Sequence, residues 1–86
     1  MKKKVTIFGS TGSIGLSTLD IINQHKDKYE VIGLSINNNY QKLLEQVSAF
    51  NPKIVSIKDS GSFERFKEEN TNKSLKILNG SDSYDD

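Results

Sequence analysis

The residues best suited to do chemistry lie near the N-terminus. Gly9-Ser10-Thr11-Gly12-Ser13-Ile14-Gly15 places a glycine at every third position. It follows the apolar run Val5-Thr6-Ile7-Phe8 and opens a segment with helical periodicity. A strand that ends in such a loop and passes directly into a helix is built to hold an anion. Gly9 lets the chain turn at the strand end, and Gly12 lets the backbone approach a pyrophosphate without a Cβ in the way. Gly15 lets the helix pack closely. The backbone N–H groups of Thr11 to Ile14 are expected to be the free donors of the helix N-terminus, with the helix dipole behind them. The hydroxyls of Ser10, Thr11 and Ser13 add further donors. The first acid after the loop is Asp20, so no carboxylate in the opening turn competes with a phosphate. The bland alternative is a Gly/Ser-rich turn that only caps a helix. Strand before, helix after and a further strand beyond favour the phosphate reading.

Other phosphate loops do not fit. A P-loop needs glycine and then lysine from its sixth position, where this chain has Ile14, Gly15 and Leu16. A kinase glycine loop needs strand on both sides. The G-x-x-G-x-x-G spacing is a variant of the dinucleotide fingerprint. Enzymes that use NAD carry an acid at the end of the second strand, on the ribose hydroxyls. Here that position is Asn37-Asn38-Asn39, without an acid, and Glu30 lies at the opposite end of the strand. A carboxylate is the usual means of rejecting a 2′-phosphate, so its absence favours NADP(H) over NAD(H). Alone, the Asn triplet reads as a polar turn. His25 reads as a surface residue at a helix C-terminus, and Asp20 and Glu45 as solvent-side positions. No paired carboxylates and no metal-ligand spacing stand out.

The elements that must position this loop follow from periodicity. Short apolar runs at Val5–Phe8, Glu30–Ile36, Ile54–Ile57 and Leu75–Leu78 read as strands. Ser13–Gln24 reads as a helix with Ile14, Thr18, Ile21 and Ile22 on its inner face and Leu19 beside it. Tyr40, Leu43, Leu44, Val47 and Phe50 form a helical stripe that Asn51-Pro52 ends. A weaker helix runs from Phe63 to Glu69, after cap candidates at Asp59 to Ser62. Ser81 is a cap candidate for a fourth, truncated helix. The alternation β-α-β-α-β-α-β argues an α/β fold, a partial Rossmann-like doubly wound parallel sheet with helices on both faces.

Composition sets the remaining bounds. The 86 residues allow one domain, and 34% hydrophobic content with a mean hydropathy of −0.56 is lean for a free-standing core. There is no cysteine, so no disulfide and no thiolate chemistry, which fits a reducing compartment; a cytoplasmic location is expected. No apolar stretch suffices for a membrane span or a secretory leader, although Lys2, Lys3 and Lys4 open the chain. A net charge of +1, with acids gathered at Asp82, Asp85 and Asp86, gives no general pull toward nucleic acid or membrane.

The run Val5 to Gly15, followed by Ser17-Thr18-Leu19-Asp20, resembles the N-terminus of the 1-deoxy-D-xylulose 5-phosphate reductoisomerases. Aspartate-semialdehyde dehydrogenases share a Gly-x-Thr-Gly-x-x-Gly loop. The full Gly-Ser-Thr-Gly-Ser-Ile-Gly run with Ser-Thr-Leu-Asp behind it is more specific. The resemblance continues through Tyr29-Glu30-Val31-Ile32-Gly33-Leu34, Glu45-Gln46, Phe50-Asn51-Pro52 and Asp59, and thins after about residue 65. It implies NADPH as cofactor, held at Thr11, Gly12, Ser13 and Ile14 and at Asn37, Asn38 and Asn39. Many members have Gly-Lys-Asn at that turn, and this chain lacks the lysine. The resemblance further implies reduction and rearrangement of 1-deoxy-D-xylulose 5-phosphate to 2-C-methyl-D-erythritol 4-phosphate in non-mevalonate isoprenoid synthesis. Mg²⁺ or Mn²⁺ is required in the parent protein, which is expected to be a homodimer. The metal and substrate residues of such proteins fall beyond position 86. Residues 1–86 are thus expected to be the N-terminal part of an NADPH-binding domain, inactive by itself. A fragment of another NADP-dependent dehydrogenase and a non-enzymatic nucleotide-binding module are the competing readings.

Overall fold

A computed structural model describes residues 2–80 of the chain. The cap expected at Ser81 and the acidic residues Asp82, Asp85 and Asp86 lie outside the described residues. The elements run β1 (Lys3–Phe8), α1 (Ser13–Gln24), β2 (Tyr29–Ile36), α2 (Tyr40–Phe50), β3 (Ile54–Ile57), α3 (Ser60–Glu69) and β4 (Lys76–Asn79). All strand pairs are parallel and the spatial order is β1-β2-β3-β4. The parallel α/β, Rossmann-like class expected from the alternation is therefore present.

One expectation is corrected. Each crossover steps in the same direction across the sheet. Right-handed connections then place every helix on one face, not on two. On that face lie Leu34, Ile36, Val55 and Ile57, at most 1% exposed, under Leu19 and Ile22 of α1, Leu43 and Val47 of α2 and Phe66 of α3. The opposite face carries Thr6, Phe8, Gly33, Ser35, Ile54, Ser56 and Leu78 by register. Phe8 there is 67% exposed. β4 adds outside β3, so β1 stays an outer strand among the described residues.

Local chemistry explains the element ends. Asn39 begins α2 with its Oδ1 accepting the Lys42 N–H at 3.1 Å, and Asn51 ends it in the left-handed conformation at φ 50°. Pro52 follows and cannot continue the helix. α3 starts three residues earlier than its apolar pattern predicts, because Asp59 caps Ser62 and recruits Ser60 and Gly61 into the first turn.

The inner face of α1 also differs from expectation. Gly15, Leu19 and Ile22 are buried, whereas Ile14 is 83% and Ile21 56% exposed. Gly15 sets this rotation by sitting against the preceding loop, which turns Ile14 outward to the loop mouth.

Candidate nucleotide-phosphate site

The site is assembled at the carboxyl ends of the parallel strands, where α/β sheets bind ligands. Gly9 leaves β1 at φ +68°, a left-handed conformation that favours glycine, and an added Cβ there would meet nothing within 4 Å. Gly9 is thus required for its backbone angle and not for space. The N–H groups of Gly9 and Ser10 both donate to the Ser35 carbonyl, at 2.7 and 3.0 Å, which pins the loop to the end of β2.

Gly15 has a different task. A Cβ on it would fall 2.2 Å from the Gly9 carbonyl oxygen and 2.7 Å from Ser10 Cα. The first turn of α1 therefore rests directly on loop backbone. Gly12 is different again: a Cβ would stand 3.4 Å from the Gly9 oxygen, an ordinary contact, at an extended backbone (φ −82°, ψ 173°) open to any residue. Among the described residues, nothing demands glycine at position 12. The space it leaves faces outward, in front of the helix.

The N-terminus of α1 has no side-chain cap and no acid in its first turn, while Asn39 and Asp59 cap α2 and α3. Among the described residues, no acceptor meets the N–H of Thr11, Ser13 or Ile14. The Gly12 N–H, expected to be free, turns back to the Gly9 carbonyl at 3.0 Å. Thr11 is half-buried, and Gly12, Ser13 and Ile14 are exposed. Three outward N–H groups and the Thr11 and Ser13 hydroxyls remain for an anion, aligned with the helix dipole.

Ser10 does not belong to that donor set. It is fully buried, and its hydroxyl donates to Gln46 Oε1 at 2.8 Å; Gln46 Nε2 in turn donates to the Ser10 carbonyl at 2.7 Å. The carbonyl fixes the orientation of the amide, because a flipped Gln46 would set oxygen against oxygen. Gln46 was not singled out as a site residue by sequence. Its signal is a polar residue three positions after Leu43 and four before Phe50, on the helix face that the apolar stripe reserves for burial.

The Asn37–Asn39 turn is exposed and lies beside this loop through the β1–β2 pairing of Phe8 with Ser35. Asn39 spends its Oδ1 on the α2 cap, leaving Nδ2 to donate. The Asn37 carbonyl accepts the Asp59 N–H at 2.9 Å, and the Asn38 carbonyl accepts the Ser62 hydroxyl at 2.8 Å. The fold thus brings one acid, Asp59, from the end of β3 to the turn after β2, which a search along β2 alone overlooks. Its Oδ2 accepts the Ser62 N–H at 2.8 Å and stands 2.8 Å from the Ser62 hydroxyl, whose single proton it shares with the Asn38 carbonyl. The backbone bond first and the hydroxyl second hold the Asp59 carboxyl below its ordinary 3.8. A carboxyl depressed on folding stabilises the fold above its unfolded value and loses that contribution as pH falls through its folded value. Asp59→Asn is therefore expected to flatten the acid limb of the stability curve below about pH 4 with little change at neutral pH, since Asn caps well. Thermal unfolding of both chains across that range checks it; parallel acid limbs would refute it.

Among the described residues no group of three or more His, Cys, Asp or Glu could hold a metal ion, and no helix is long and apolar enough to cross a membrane.

A one-sided parallel sheet, entered through a three-glycine loop into an uncapped helix, defines a Rossmann-like α/β unit. The family model described as 1-deoxy-D-xylulose 5-phosphate reductoisomerase matches residues 5–86, and the chain belongs to that family. It is 46% identical over 79 residues to the 1-deoxy-D-xylulose 5-phosphate reductoisomerase of Thermoanaerobacter sp. (strain X514), covering 92% of this chain and 20% of that protein. The Microcystis aeruginosa reductoisomerase is 51% identical over 65 residues, covering 76% of this chain and 17% of that protein. The Zymomonas mobilis reductoisomerase solved with NADPH superposes with a TM-score of 0.88 at 36% identity, over 96% of this chain and 22% of that one. A reductoisomerase solved with NADPH, fosmidomycin and magnesium gives 0.86 at 30% identity, over 94% of this chain and 20% of that one. The chain thus spans about a fifth of the length of the curated relatives it matches.

Proposed function

We propose that this chain binds NADPH and is the N-terminal part of the cofactor-binding domain of a 1-deoxy-D-xylulose 5-phosphate reductoisomerase. The pyrophosphate rests on the N–H groups of Thr11, Ser13 and Ile14, in the space left by Gly12. Gly9 and Gly15 shape the loop. The adenosine 2′-phosphate lies at Asn37, Asn38 and the Nδ2 of Asn39. Exposed Ile14 offers an apolar contact beside the phosphates. Reduction and rearrangement of 1-deoxy-D-xylulose 5-phosphate, the divalent metal it needs, homodimer formation and a cytoplasmic setting belong to the whole protein. The residues described here supply cofactor contacts only.

The observation that carries this reading is the uncapped, acid-free N-terminus of α1 behind Gly12, on a chain whose other two described helices are capped by side chains. Calorimetric titration with NADPH and with NADH tests it. Binding of NADPH, tighter than NADH, is expected. With neutral amides at the turn and the Asp59 carboxylate beside them, the preference is modest, about tenfold, equivalent to roughly 1.4 kcal/mol. Equal binding or a preference for NADH would show that Asp59, and not the amides, governs the ribose end. No binding of either would remove the proposal.

A further inference from the structure

We propose that Gln46 is a positioning residue of the nucleotide site, a role that rests on the NADPH reading above. Its side chain touches no part of the outward donor set. It fixes the peptide unit that determines where those donors point.

Ser10 is held at three groups. Its N–H donates to Ser35, its hydroxyl donates to Gln46 Oε1, and its carbonyl accepts from Gln46 Nε2. The same planar peptide unit as this carbonyl carries the Thr11 N–H, one of the three donors left for phosphate. Rotation about the Ser10 backbone would carry this N–H out of line, and the Gln46 amide opposes that rotation from a second helix. Ser10 and Gln46 are 0% and 5% exposed, so water does not replace the lost partner when one is removed. Gln46 belongs to α2, whose first residue follows Asn39, so one rigid helix carries the turn after β2 at its N-terminus and the loop clamp nearly two turns on. The clamp therefore also sets the separation between the phosphate loop and the Asn37–Asn39 turn, which one dinucleotide must span.

The test uses the 86-residue chain, with NADPH affinity and apo amide spectra recorded well below the melting temperature of each variant. Gln46→Leu keeps the volume and removes both bonds. Gln46→Glu keeps an acceptor for the Ser10 hydroxyl and sets an oxygen against the Ser10 carbonyl. Both are expected to weaken NADPH binding about tenfold or more and to shift the Thr11, Ser13 and Ile14 amides before any nucleotide is added. Ser10→Ala removes one of the two clamp bonds and keeps the carbonyl bond, so it is expected to weaken binding less than either Gln46 variant. A merely structural role lowers the melting temperature and leaves affinity and loop amides unchanged in the folded protein. Binding within about twofold by either folded Gln46 variant overturns the positioning role alone. Failure of the unsubstituted chain to bind overturns the NADPH reading and this role together.

Discussion

Gly15→Ala is expected to be the most damaging alanine substitution among the six glycines of this chain. The new Cβ would meet the Gly9 oxygen at 2.2 Å, the Ser10 Cα at 2.7 Å and the Gly9 carbonyl carbon at 2.9 Å. All three are backbone atoms, and none can move aside by a rotamer change. The loop is also pinned to Ser35 and clamped by Gln46, so relief requires α1 to lift off the loop. Overpacking of this kind costs about 3 kcal/mol or more. A domain of this size has total stability of only about 0.05–0.15 kcal/mol per residue, so the loss is a large fraction of the whole. The melting temperature is expected to fall by more than about 10 °C. Gly61→Ala is the control. That site lies in the first turn of α3, 3.4 Å from the Asp59 Oδ2, and has room for a methyl. There the same change is expected to be neutral or to stabilise by up to about 1 kcal/mol. Thermal unfolding of the two variants decides it; similar curves would mean that the contact of α1 with the loop is not what demands glycine.

Gly12→Ala is expected to separate function from stability. Its Cβ finds only an ordinary contact, at 3.4 Å, and the backbone is extended. Alanine is a poorer helix-start residue than glycine, so the stability change should stay within about 1 kcal/mol. The methyl would stand where the pyrophosphate must approach the Ser13 and Ile14 N–H groups. Hydrogen bonds to a charged partner are worth about 1.5–3 kcal/mol each, so NADPH affinity is expected to fall by at least about tenfold. Together the two variants assign a separate reason to each glycine: Gly15 is required by the protein and Gly12 by the ligand. A Gly12→Ala chain that binds NADPH as the unsubstituted chain does would move the phosphate away from this loop.

Most of the architecture was legible because it is local. The stripe from Tyr40 to Phe50, with Asn39 before it and Asn51-Pro52 after it, fixed both ends of α2. The glycine spacing placed the loop between β1 and α1. What was not legible depends on non-local placement. The side of the sheet on which a helix lies follows from strand order, and no periodicity in the chain encodes that β4 joins β3. The rotation of α1 follows from contact between Gly15 and the loop, so Ile14 and Ile21 looked internal by spacing yet face outward. Ser10 looked like a phosphate donor by its neighbours in sequence, and Gln46, 36 residues away, claims it. Asp59 likewise reaches the Asn37 turn from another strand. The lean composition also finds a physical partner in the fold. The helices cover one face of the sheet, and Phe8 stands open on the other.

Cofactor binding at the glycine loop is read directly by an amide-resolved titration of NADPH into the ¹⁵N-labelled chain. The largest shifts are expected on Thr11, Gly12, Ser13 and Ile14, with a second group at Asn37, Asn38 and Asn39. Shifts confined to the open sheet face around Phe8, Ile54 and Leu78, or none at saturating nucleotide, would contradict binding at that loop.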